Sequence, residues 1–298
     1  MNNRKAIRPL RFVAGVMIVL ALSVATSHRS VAQIWDTIKR RAEQAQQKAQ
    51  KVQEATKPMT VEQEADVGRE VAAKVIAFYR LYPNDVLTRY VNMVGETVAA
   101  QSERQDIKYH FAVLDSDAIN AFSAPGGYVF ITRGAVALCE DESELAGVLA
   151  HEVGHVAGKH VLHIVERDKM LKAGMNEASA YVPGSDYLQK VSKNILIKLL
   201  VQGLAPGDEF DADQRGMTYA HKGGYPADGL ERFLIKLDQA TNQGANSFWE
   251  RTHPPVKDRD TRIQKLIADQ HWEDTDRPKL ADRFAASTAT LTKPKPGV

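Results

Sequence analysis

The chain has 298 residues, enough for one large domain or two small ones, and 44% of them are hydrophobic, enough to build a substantial core. Its 39 basic and 37 acidic side chains leave a formal charge of +2, which gives no electrostatic case for nucleic acid as a partner. Cys139 is the only cysteine, so an intrachain disulfide is excluded, and its apolar surroundings read as those of a small buried thiol rather than a nucleophile.

Residues 1–11 carry Arg4, Lys5, Arg8 and Arg11 and no acid, Phe12 to Thr26 is an apolar run, and Ser30-Val31-Ala32 supplies small residues before Gln33. These are the three parts of a secretory signal peptide, residues 1–32, cut after Ala32. The run of about 15 residues falls short of the roughly 20 that a spanning helix needs. Left uncut, it would act as an anchor and be the chain's only contact with a membrane. Residues 33–58, rich in Gln, Lys, Ala and Glu, have helical propensity but few apolar positions after Ile38, and read as a polar helical spacer.

A folded domain is expected over residues 59–271. Thr60 with Gln63 forms the Gln version of a capping box and starts a helix that reaches Tyr79. Asn84 starts a second, with Val86, Leu87, Tyr90, Val91, Val94 and Val98 at helical spacing. Glu64, Gly68 and Glu70 read as helix-surface and helix-packing residues. From Ile107 the period changes to two. Tyr109–Leu114, Ala118–Ser123 and Tyr128–Thr132 read as three short strands of a small antiparallel sheet. Asn120, Ala121 and Phe122 are its candidate edge, where an extended peptide can add as a further strand; serving only the sheet's own core is an equal alternative.

Asp141, with Glu144 three residues on, caps a helix that reads through to His160, with Leu145, Val148, Leu149 and Val156 as its apolar stripe. Gly154 and Gly158 weaken it by about 1 kcal/mol each relative to Ala, which points to close approach of a neighbouring backbone. Within this helix stands His151-Glu152-Val153-Gly154-His155. Histidines four apart share one helix face. Neutral imidazoles at that spacing reach one Zn2+, and the Glu between them reaches the water whose pKa such an ion lowers towards about 7. Two surface histidines on an amphipathic helix are the plain alternative, so the motif needs a third ligand. His160 and His163 are too far along a helix rising about 5.4 Å per turn to share that shell, and read as polar-face or supporting residues.

Met170–Leu204 is amphipathic, broken at Pro183-Gly184, and a weak candidate for a lid over the cleft. Another helix begins near Asp208, with Glu209 and Asp213 on one face. Glu209 can supply a carboxylate oxygen to the metal, and Asp213 can hold the far N–H of a ligating His, which fixes its tautomer. Gly216 lets two helices pack tightly. An acidic helix start favoured by the helix dipole is the alternative. After His271 the chain turns polar, and residues 272–298 read as a disordered tail.

Four motifs in order resemble the HtpX-like and CAAX-prenyl-protease-type zinc metallopeptidases, which are gluzincins. They are Asn120-Ala121-Phe122-Ser123-Ala124-Pro125-Gly126-Gly127 with Arg133-Gly134 soon after, His151-Glu152-Val153-Gly154-His155, Glu209-Phe210-Asp211-Ala212-Asp213-Gln214-Arg215-Gly216, and His253-Pro254-Pro255. The resemblance implies an α+β, mostly helical zincin-like domain with the small sheet beside the His-Glu-x-x-His helix. It implies one Zn2+ per chain on His151, His155 and Glu209, with Glu152 as general base. His253 is implied either to stabilise the oxyanion or to occupy the metal's open position at rest. Arg259 lies six after His253, where the family carries Arg, but Ile follows Arg262 instead, so the site Arg is left open between the two. Pro206 departs from the Arg common three before the ligand Glu. The resemblance is to the exported branch, periplasmic peptidases of Gram-negative bacteria. Their expected partners are unfolded or misassembled envelope polypeptides, in protein quality control. A chaperone or outer-membrane assembly factor, whose zinc site is regulatory or structural, is the alternative.

Overall fold

The computed structural model describes residues 10–174, 186–245, 247, 249–273 and 277–291. The expected leader's first nine residues and the Pro183-Gly184 break lie outside these. The chain divides into two units. The smaller, Met1–Lys57 with Met170–Ala178, holds α1 (Leu10–Ala55), a continuous helix that runs through the expected cleavage point after Ala32. From residue 31 to residue 54 its side chains are all exposed. Among the described residues no helix is long and apolar enough to cross a membrane.

The larger unit begins with α2 (Val61–Tyr79), whose start is the complete Thr60/Gln63 capping box, and α3 (Asp85–Ala99), capped by the Asn84 side chain on the Leu87 N–H. Three strands follow: β1 (His110–Leu114), β2 (Ala121–Ala124) and β3 (Tyr128–Thr132), ordered β1-β3-β2. β2 and β3 form an antiparallel hairpin, but β1 runs parallel to β3, from His110 beside Tyr128 to Leu114 beside Thr132. The sheet is therefore mixed rather than wholly antiparallel. Arg133, just after β3, pairs with Asp115 and Asp117, just after β1, so the two strands must end at the same side.

The hairpin turn Pro125–Gly127 needs its glycines, with φ of 74° at Gly126 and 88° at Gly127. Glu64 holds that turn by accepting the Gly126 N–H at 3.0 Å, and Arg104 pairs with its other oxygen at 2.9 Å. Glu64 is thus a buried clamp, not the surface residue its helical position implies. A Cβ on Gly68 would lie 2.0 Å from the Pro125 carbonyl oxygen, so the turn seats directly on α2.

α4 (Arg133–Leu138) leads into α5 (Glu142–Ala157), every residue of which is buried. α5 packs against α3, against α8 (Pro206–Lys222), against α9 (Gly229–Asn242) and against the sheet, and is the central rod of the unit. Asp141 accepts the Glu144 N–H at 3.0 Å, while Glu144 turns to the Glu140 N–H at 2.8 Å, so the box closes one residue early. Between α5 and α8 come α6 (His160–Gly174), α7 (Asp186–Ile197) and a π-helical turn at Lys198–Gln202. Short α10 (Trp249–Thr252) and α11 (Val256–Gln270) follow α9.

The polar tail carries structure too: α12 (Ala281–Thr288) buries Phe284 near Tyr90 and sends Arg283 to Glu142. Glu142 is fully buried and also accepts the hydroxyls of Tyr90 at 2.9 Å and Tyr225 at 2.8 Å. A buried carboxylate needs such partners, and one of them lies in the segment that composition alone reads as disordered.

Candidate metal centre

α5 sets His151 and His155 one turn apart on the face towards α8, with their Nε2 atoms 3.1 Å apart. Two glycines bring the helices together. A Cβ on Gly154 would stand 2.7 Å from the Ala212 carbonyl oxygen, and one on Gly216 would stand 2.6 Å from the His151 nitrogen. Glu209, in the first turn of α8, therefore reaches both rings, with Oε1 3.5 Å from His155 Nε2 and Oε2 3.6 Å from His151 Nε2. His253 closes the group from the end of α10, its Nε2 3.6 Å from Glu209 Oε2 and 4.0 Å from Glu152 Oε1.

One ligand atom from each of His151, His155, Glu209 and His253 lies within 4.8 Å of all the others. Glu209 Oε2 and Glu152 Oε1 are buried without a hydrogen-bond partner. Orphaned buried carboxylate oxygens are costly, and three imidazoles with one carboxylate are a donor set suited to Zn2+. The residues present fit a metal ion.

Each ring is oriented from behind. His151 Nδ1 donates to Asp213 Oδ1 at 2.9 Å, and Arg259, fully buried on α11, grips Asp213 at 2.9 and 2.5 Å. Burial works to raise the Asp213 carboxyl, but Arg259 and His151 outweigh it and hold it well below the usual range. Burial and Arg259 oppose protonation of His151, yet Asp213 and Glu209 carry its side chain up to about 9. Burial and the neighbouring His151 hold His155 well below the usual imidazole range. Of the two candidate arginines it is Arg259 that enters the site; Arg262 stacks on Phe210, 3.7 Å from the ring centre.

His155 is braced by a residue that helix geometry alone places out of reach. α5 stops at Gly158, Lys159 takes a left-handed φ of 56°, and the chain turns into α6. His160 thereby brings its Nδ1 to 2.9 Å from His155 Nδ1, and its Nε2 to 3.1 Å from Asp211 Oδ2. A glycine at 158 is the sequence signal that could have marked this turn, had it been taken as a helix end instead of a packing residue. Gly158 does not face a neighbouring backbone, since its Cβ would lie 2.4 Å from His160 Nε2. His163 is exposed.

His253 stacks on Trp249 at 4.1 Å and 14° and directs its Nδ1 to the Trp249 carbonyl at 3.2 Å. Burial lowers its imidazole to about 4, so the ring is neutral with its Nε2 lone pair facing the cluster.

The model of peptidase family M48 matches residues 86–267, which include every residue of this centre. The chain belongs to peptidase family M48. It is similar to the beta-barrel assembly-enhancing protease of Yersinia pestis, 27% identical over 66% of this chain and 42% of that protein. It is also similar to the mitochondrial metalloendopeptidase OMA1 of Schizosaccharomyces pombe, 27% identical over 60% of this chain and 53% of that protein. The metalloprotease YcaL of Escherichia coli is 23% identical over 69% of this chain and 76% of its own length. The chain thus spans under half the length of the assembly-enhancing protease it matches. The family resemblance drawn from the four motifs is borne out.

In this M48 domain the candidate peptide edge lies beside the centre. Among the described residues β2 pairs with β3, and Ile119 just before it bridges to Ser247. Asn120 and Ala121 are 0% exposed and Phe122 4%, so the edge is covered rather than open to solvent. Both amide atoms of Asn120 are buried without a partner. Phe122 and Ser123 line a space of about 20 Å³ with Glu152, His155, Glu209 and His253, and Leu199, Gly203 and Leu204 line it as well. Ser123, beside Glu152 in this lining, works to lower its carboxyl, an influence no motif announced. Burial raises the Glu152 carboxyl to about 7, against the lowering effect of His151.

Proposed function

We propose that this M48 domain is a zinc-dependent endopeptidase that hydrolyses unfolded or misassembled polypeptides of the bacterial envelope. Its proposed place is the periplasm, reached through residues 1–32 as an export signal. The observation that carries the reading is the convergence of two α5 imidazoles and the α8 carboxylate beside a buried, unpartnered Glu152 oxygen. The names of the assembly-enhancing relatives support the envelope substrate class.

His151, His155 and Glu209 would hold the zinc, which when bound polarises a peptide carbonyl and acidifies water. Glu152 takes the proton of the attacking water and passes it to the departing amine. It is buried beside the three ligands, with one oxygen unpartnered and free to take that proton. Asn120, Ala121 and Phe122 align the substrate backbone, and the unpartnered Asn120 amide is the group that a peptide would satisfy. His253 offers a lone pair rather than an N–H. It closes the centre at rest and becomes an oxyanion donor only when protonated. The space of about 20 Å³ beside Glu152 is large enough to hold a water.

The covered strand edge favours a second reading, a chaperone or assembly factor in which the zinc site is regulatory. Glu152→Gln separates the two. The peptidase reading expects the variant to bind zinc and to lose cleavage of denatured casein by about 100-fold or more. Undiminished cleavage overturns it, and rescue of a deletion strain by the inactive variant favours the chaperone.

A further inference from the structure

His151 and His155 both need a fixed tautomer if their Nε2 atoms are to face a metal, because only the Nδ1–H form leaves that lone pair free. Asp213 does this for His151. For His155, 2% exposed, no carboxylate among the described residues stands at Nδ1; the neighbour there is His160 Nδ1 at 2.9 Å. Two facing imidazole nitrogens share one proton. If it sits on His155, then His160 accepts at Nδ1 and its own proton is on Nε2. There, Asp211 Oδ2 waits at 3.1 Å. The reverse assignment would put a proton on His155 Nε2, facing His151 Nε2 and Glu209. Asp211 is in turn held by Arg215, which also reaches Glu103, and Glu103 accepts the Tyr219 hydroxyl.

We propose that His160 and Asp211 are positioning residues for the metal ligand His155, a relay of N–H donors that keeps its Nε2 lone pair directed at the ion. The proposal rests on the reading of His155 as a ligand. Three local features serve the relay. Gly158 clears the space, since its Cβ would stand 2.4 Å from His160 Nε2 and 3.0 Å from Asp211 Oδ2. Lys159 adopts the left-handed φ of 56° that turns the chain into α6. His160, the first residue of α6 and 6% exposed, bonds inward to the two relay partners. Supporting partners of metal-bound imidazoles typically contribute about 10–100-fold in metal affinity.

The test is zinc affinity, by competition with a chelating dye, for the full chain and for H160L, H160Q and H160N. Melting temperatures are taken for each protein with and without zinc. H160L is expected to lose about 10–100-fold in affinity while its zinc-free melting temperature stays near that of the wild type. H160N, whose Oδ1 takes the place of His160 Nδ1, can accept from His155 and should keep most of the affinity; H160Q, whose amide falls at the Nε2 position beside Asp211, should not. Wild-type affinity in H160L overturns the relay. So does an equal fall in melting temperature with and without zinc, which would mark His160 as structural. If H160L does not fold, the Gln and Asn variants decide, and equal affinities in the two overturn it. A wild-type chain that binds no zinc, with E209Q no different, overturns the metal reading beneath it instead.

Discussion

His151 gives its Nδ1 proton directly to Asp213, 5% exposed, which Arg259 grips from α11 with its own side chain at 0%. His155 faces a second imidazole, and the carboxylate behind that, Asp211, is 40% exposed. The two arms serve neighbouring rings on one helix, yet one ends in a sealed ion pair and the other in a network that reaches water. The difference teaches where each arm's energy lies. A buried charge pair is costly to break because the survivor is stranded. A partly solvated carboxylate loses little when altered, since water and salt already screen it.

Arg259→Met should break the comparison hardest. It strips the guanidinium from buried Asp213, leaving only the His151 contact, and should cost about 3–5 kcal/mol in urea unfolding. A loss under about 1 kcal/mol would mean that the sealed arm is no stiffer than the open one. Next comes a matched pair read by zinc affinity. Asp213→Asn should weaken binding by about 10–100-fold, and Asp211→Asn by clearly less; equal losses would erase the distinction. A pair of glycines sharpens it further. Gly154→Ala drives a Cβ against the Ala212 backbone at 2.7 Å and should cost about 1–3 kcal/mol in global stability. Gly158→Ala meets only side chains, His160 and Asp211, and should weaken zinc binding with a smaller change in the urea midpoint.

The smallest effect lies at the other end of α5. Arg232 and the helix cap hold the Asp141 carboxyl below its usual value despite burial, which works to raise it. Its folded pKa is depressed, so its contribution is complete above the unfolded value near about 3.9 and is lost as pH falls through the folded one. Asp141→Asn keeps the cap and should flatten the fall in urea midpoint below about pH 4. An unchanged acid slope would assign that fall to other carboxylates.

The elements around the centre were largely legible. Thr60, Asn84 and Asp141 begin helices in the sequence and in the fold alike, because an N-cap is a contact within four residues. His151 with His155, and Glu209 with Asp213, share faces because a helix repeats every 3.6 residues. The direction of β1 was not legible. Alternation marks a strand and a tight turn marks a hairpin, but neither says which free edge an earlier strand will take. The burial of Glu64, the docking of Phe284 and the approach of His160 were hidden for a related reason. Each depends on a partner brought in by a turn of the chain or by a distant helix.

Local spacing therefore determined which side chains of this protein stand together on a helix, and with them the pattern of an M48 peptidase. Only the tertiary structure decided that α5 and α8 approach closely enough for those faces to meet. It also decided that Arg259 rather than Arg262 enters, and that a left-handed residue at Lys159 turns His160 onto His155. The physical reason is reach. Helical periodicity acts over one or two turns, whereas the partner of a buried proton is chosen by packing between segments that the sequence holds far apart.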